Sequence, residues 1–203
     1  MKCDLIIAGV GGQGILTLAG LIAQSALRAG LNVKQSEVHG MAQRGGAVEA
    51  HLRLSSATIF SDLAPGGAVD VLCGMEPLET LRHLHSLAPT GWVVTGSEAV
   101  ENIPDYPPLA DVLKAIREWP RHLLFPAIQL AQEAGSPRAS NMVLLGAVSA
   151  LLPLPEEVFA EVITELFQAK GAAVADVNRK AFACGRELAS RLSDLPVVAY
   201  WTG

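Results

Sequence analysis

The sequence predicts one α/β domain, a mostly parallel sheet between layers of helices with a helical C-terminal region, and three observations carry that prediction. An apolar run, Asp4 to Val10, ends in glycines and passes into a stretch of helical apolar spacing, Ile15 to Ala29. Further short apolar runs alternate with helical ones as far as Phe125. From Pro126 to Arg191 nearly everything has helical spacing, with Pro, Asn or Gly at the breaks. A chain of 203 residues suits a single domain over 1–203.

Taken in order, Asp4 to Val10 reads as a strand and Ile15 to Ala29 as a helix that Gly30 stops. Leu31 to Glu37 restarts in extended character, which gives a βαβ unit whose strands a right-handed crossover makes parallel. Ala47 to Leu54 alternates apolar with polar residues, the pattern of a strand with one wet face at or near a sheet edge. Val69 to Met75 is a strand. Pro77 opens a helix through Leu78, Leu81, Leu84 and Leu87, placed where its missing N–H costs nothing. Gly91 to Thr95 and Arg121 to Phe125 complete the strands, with a helix from Leu109 to Trp119 between them. Ser97 to Pro108, with three prolines, is a surface connection. Asn141 to Leu151, Pro155 to Gln168 and Ala173 to Arg191 are the last helices.

Half the residues are hydrophobic and 17% are charged, so either the core is large or a partner covers part of the surface. A net charge of -5 without a basic run argues against a surface that tracks nucleic-acid phosphates. Leu5 to Val10 dissolves into glycines too soon for a secretory signal, which favours a cytoplasmic protein. Met142 to Leu152 is shorter than the roughly 20 residues that span a bilayer, and it reads as a buried helix, not a membrane anchor. Cys3, Cys73 and Cys184 stand far apart, without the spacing of a disulfide framework or of zinc or iron-sulfur ligands, and read as small buried hydrophobes. No metal site is expected.

Two segments carry chemistry. Gly9-Val10-Gly11-Gly12-Gln13-Gly14 has the G-x-G-x-x-G pattern between a strand and a helix, the context of a Rossmann-like phosphate turn. Glycines there allow close approach of an anion to the unpaired amides of a helix N-terminus. The alternative is that they let helix pack on sheet or loop pack on another protein. A dinucleotide site also wants an acidic residue about 20 positions on, and Glu37 stands near that point. The second segment, Ser36 to Gly46, places His39, Gln43 and Arg44 among glycines without core-like periodicity. The Arg44 guanidinium suits a carboxylate or phosphate, with Gly45 and Gly46 letting the backbone approach, and His39 is a candidate that titrates near neutrality.

Together these segments resemble the gamma-type catalytic domain of the 2-oxoacid:ferredoxin oxidoreductases. His39-Gly40-Met41-Ala42-Gln43-Arg44-Gly45-Gly46 is similar to the indolepyruvate type. Asp70 to Leu72, Glu76 to Arg82, Asn141 to Gly146 and Asn178 to Gly185 extend the resemblance over nearly the whole chain. It implies a cluster-free subunit, inactive alone, of a complex that decarboxylates a 2-oxoacid on thiamine diphosphate, reduces ferredoxin and hands the acyl group to coenzyme A. Thiamine diphosphate, Mg²⁺ and the iron-sulfur clusters are then expected in a large partner subunit, since this chain has no Gly-Asp-Gly element and no cluster-binding cysteines. Gly9, Gly11, Gly12, Gln13, Gly14, Glu37, Gln43, Arg44, Gly45 and Gly46 become the candidate cofactor contacts, with His39 and Arg44 the candidates for chemistry. Two alternatives stay open: a self-sufficient NAD(P)-binding enzyme, which needs Glu37 on a ribose and a base the sequence does not offer, and a purely structural subunit.

Overall fold

The structure, a computed structural model, describes residues 1–39 and 45–190, with His39 by its backbone alone. Six strands form one sheet: β1 (Lys2–Val10), β2 (Asn32–His39), β3 (Ala47–Ser55), β4 (Val69–Gly74), β5 (Leu87–Gly96) and β6 (His122–Phe125). Their spatial order is β2-β3-β1-β4-β5-β6. β1, β4, β5 and β6 pair in parallel, while β3 is antiparallel to both neighbours, β1 and β2. β2 therefore does run parallel to β1, but with β3 inserted between them.

The helices are α1 (Ile15–Arg28), α2 (Pro77–His83), α3 (Leu109–Arg117), α4 (Ala127–Glu133), α5 (Ser140–Ser149), α6 (Glu156–Gln168) and α7 (Ala172–Ser190). Alternation along the strands feeds two cores, as the period of two requires. Leu5, Ile7, Val71, Cys73 and Val94 face the larger core with α1 and α4 to α7. Ile6, Ala8, Leu72 and Val93 face a smaller one with α2 and α3. In β3 the predicted alternation holds, with Ala50, Leu52 and Leu54 buried and His51 and Arg53 half-buried.

α5 is buried from Asn141 to Ser149, in keeping with its apolar sequence. It packs on α7 with backbones nearly touching. A Cβ on Gly146 would meet the Phe182 carbonyl at 2.0 Å, and one on Gly185 would meet the Val143 carbonyl at 1.9 Å. Glycine is required at both positions by this approach. Of the cysteines, Cys3 and Cys73 are buried as expected, and burial pushes the Cys73 thiol up to about 12. Cys184, on the same turn of α7 as the buried Phe182 and Gly185, is the exception and is half-buried. Among the described residues no helix is long and apolar enough to cross a membrane.

Candidate functional site

The C-terminal ends of β1 and β4 adjoin where the chain departs to opposite faces, through α1 after β1 and through α2 after β4. In open α/β sheets this crevice is where ligands bind. Gly9 and Val10 close β1, and Gly12 and Gly14 turn the chain with φ +103° and +88°. A side chain at either would be strained. Gly14 is the N-cap of α1, so the first-turn amides of that 14-residue helix face the crevice without partners inside the helix.

The two glycine segments meet here. The Gly11 amide donates to the Gly46 carbonyl at 2.8 Å, and the Gly45 amide to the Gly11 carbonyl at 3.4 Å. The register explains the meeting. Val10 pairs with Ala47 and Gly9 with Val48, while Val48 also pairs with His39, so the β2–β3 hairpin ends beside the glycine turn. A Cβ built on Gly12 or Gly45 meets nothing within 4 Å among the described residues. Gly9 and Gly14 do not. A Cβ on Gly9 would strike Gln13 and Met75 at 2.7 Å, and one on Gly14 the Asn141 amide at 2.5 Å. At these two positions the neighbouring side chains leave no room for a Cβ.

Gln13 is likewise taken up inside the chain. Its Oε1 accepts from the Val10 amide at 2.7 Å and its Nε2 donates to the Met75 carbonyl at 3.0 Å, lacing the β1 turn to the β4 turn. Glu37 is not brought to the site. It sits on the edge strand, exposed, with β3 between it and β1, and its carboxylate accepts from Gln35 at 2.7 Å. Gly40, Met41, Ala42, Gln43 and Arg44, and the side chain of His39, lie outside the described residues. Among the described residues no cluster of His, Cys, Asp and Glu has the arrangement of a metal site.

Further residues shape the crevice. Glu76, fully buried, caps α2 by accepting from the Glu79 amide at 2.9 Å. Its other oxygen accepts from the Val100 amide at 3.4 Å and from the Tyr106 hydroxyl. Burial first, and the carboxylate second, raise the Tyr106 phenol well above its ordinary range. Asn102 Nδ2 donates to the Gly45 carbonyl at 2.9 Å, so the 97–108 connection reaches the glycine turn. The pair Glu76-Pro77 carried a local signal, a capping side chain before a first-turn proline. Asn102 and Tyr106 carried none, because their partners are 57 and 30 residues away. Elsewhere, on the α2 face, a groove of about 390 Å³ is lined by Val38, Val48, Glu49, Arg82 and His83. There His83 Nδ1 stands 3.2 Å from Glu49, and burial lowers the imidazole below its usual range.

Comparison with known proteins gives this arrangement a family. Residues 4–188 match the family model described as pyruvate ferredoxin/flavodoxin oxidoreductase. The chain is 38% identical over 202 residues to the indolepyruvate oxidoreductase subunit IorB of Thermococcus kodakarensis, covering 95% of this chain and 98% of that one. It is 36% identical over 194 residues to the protein of the same name from Archaeoglobus fulgidus, covering 91% and 94%. Among solved structures it resembles the 2-oxoglutarate:ferredoxin oxidoreductase of Magnetococcus marinus, solved with 2-oxoglutarate, coenzyme A and succinyl-CoA bound. The TM-score is 0.74 at 28% identity, over 95% of this chain and 32% of that chain. The gamma subunit of a keto/oxoacid ferredoxin oxidoreductase from Geobacter sulfurreducens shares the fold, with a TM-score of 0.67 at 24% identity over 93% and 98% of the two chains. The chain belongs to the pyruvate ferredoxin/flavodoxin oxidoreductase family.

Proposed function

We propose that this chain is the cluster-free small subunit of an indolepyruvate-type 2-oxoacid:ferredoxin oxidoreductase, and that its glycine turn and hairpin loop form its share of a composite site with a large partner subunit. The observation that carries this reading is the Gly11–Gly46 pairing, which joins the two segments that sequence alone singled out. Length supports the same division of labour: relatives named as indolepyruvate oxidoreductase subunits match this chain nearly end to end.

The ligand assigned to the turn is coenzyme A, whose thiol, once bound, takes up the acyl group. The chain's own geometry fits an anionic part of that molecule. Gly12 and Gly45 leave the approach open, the α1 amides point into it, and the first turn of α1 has no acidic residue to repel it. Thiamine diphosphate, Mg²⁺ and the iron-sulfur clusters are assigned to the partner subunit, with ferredoxin reached through the complex. The placement of Glu37 favours this over a dinucleotide enzyme, since no acidic side chain on β2 reaches the turn.

The test is made in the reconstituted two-subunit complex. Arg44→Lys, which replaces a planar fork by a point charge, is expected to lower 2-oxoacid-dependent ferredoxin reduction at least about tenfold, roughly 1.4 kcal/mol, with the subunit still folded. Gly11→Val is expected to raise the KM for coenzyme A by a similar factor, about tenfold, because a branched side chain occupies the approach. Turnover near that of the wild type in both variants, with coenzyme A and 2-oxoacid each varied, overturns the site.

A further inference from the structure

The 97–108 connection between β5 and α3 is anchored to the domain at points that do not involve Asn102. The Val100 amide and the Tyr106 hydroxyl both end on the buried Glu76, and Ile103 and Tyr106 pack against the smaller core. The connection is thus fastened on both sides of Asn102, and the contact from Asn102 Nδ2 to the Gly45 carbonyl is not needed to hold it down. What that contact holds is the other partner. Gly45 and Gly46 are the residues bonded to Gly11, and Gly45 has φ +76° and no side chain of its own to fix it.

The amide orientation is fixed by chemistry, because the reverse would set two oxygens against each other. In the observed orientation Oδ1 is buried and meets no donor among the described residues. That is a cost an aliphatic residue would avoid.

We propose that Asn102 is a positioning residue of the glycine site: it holds the Gly45 carbonyl so that the Gly45–Gly46 segment stays bonded across Gly11. The step from this geometry to coenzyme A rests on the function proposed above, and the measurements separate the two. In the assembled complex, Asn102→Ala and Asn102→Asp are compared with the wild type by hydrogen exchange at the Gly11 amide, by thermal midpoint, and by kcat and KM for coenzyme A. Aspartate keeps the acceptors but loses the donor, so it is expected to behave as alanine does. Gly11 exchange is expected to quicken at least about tenfold in both, as local opening without global unfolding does, with the thermal midpoint unchanged. The KM for coenzyme A is expected to rise about fivefold or more with kcat within about twofold, the signature of lost positioning and not of lost chemistry. Gly11 exchange that matches the wild type in either variant overturns the role of Asn102. If exchange quickens while neither Asn102→Ala nor Gly11→Val moves the KM for coenzyme A, the positioning role stands and the ligand assignment falls.

Discussion

Asp4 and Glu76 are both carboxylates with no exposed surface, set at opposite ends of one sheet, yet the chain answers them differently. Asp4, near the start of β1, meets cations: Arg53 Nε at 2.8 Å and its second nitrogen at 3.1 Å, with Lys2 at 2.7 Å. Glu76, just past the end of β4, meets neutral donors, the amides of Glu79 and Val100 and the hydroxyl of Tyr106. The first arrangement joins neighbouring strands and closes that end of the sheet. The second fastens a helix start and a long connection to one point. One end uses charge to seal, the other uses it to assemble loops.

Breaking the ion-paired end should cost most. Arg53→Met leaves Asp4 buried with Lys2 as its remaining cation, and a stability loss of about 3 kcal/mol is expected in denaturant unfolding, since removing one partner of a buried pair strands the other. A loss under about 1 kcal/mol would show that Lys2 suffices, and the contrast between the two ends would dissolve. Glu76→Gln is milder. The amide can keep the Glu79 contact and turn its NH₂ to the Tyr106 oxygen, so about 1–2 kcal/mol is expected, with faster amide exchange at Val100. Equal losses for the two variants would mean that neutral donors serve this carboxylate as firmly as cations serve Asp4.

The smallest effect concerns Asp70, which accepts from the Asp4 amide at 2.7 Å. Burial raises its carboxyl above the usual range, and the Asp4 charge adds to this, against the Asp4 amide and Lys2. A raised carboxyl contributes stability that is full below the unfolded value near 4 and is lost as pH climbs through the folded one. Asp70→Asn should therefore stabilise the protein at pH 7 by under about 1 kcal/mol, with the gain vanishing below about pH 4. A gain that persists at acid pH would show that charge is not its source.

Much of the fold was legible because its signals are local. Gly30 stops α1 with φ +80°, Pro77 stands at the start of α2, and the alternation in β3 sorts its faces correctly. The glycine turn was legible as a turn, and Ser36 to Gly46 as its companion. What sequence could not divide was the labour among the glycines. Gly9 and Gly14 are spent on Met75, Gln13 and Asn141, contacts that exist only once β4 and α5 are in place. Glu37 read as a ribose contact because spacing counts residues along the chain, while strand order decides which strand stands beside β1. Asn102 was unreadable for the same reason, because its partner Gly45 lies 57 residues away along the chain.

That inserted β3 also bears on what kinds of molecule the fold can select. In a two-nucleotide cofactor, one half lies over the first turn and the other is recognised at the tip of the strand alongside. Here the strand alongside runs the other way, so it offers its beginning, Ala47, where a dinucleotide fold offers an acidic tip. In place of that tip stands the start of a strand whose preceding residue, Gly46, is bonded to Gly11 of the glycine turn. The reversed strand therefore leaves this sheet without the acidic tip at which a dinucleotide enzyme reads the second half of its cofactor.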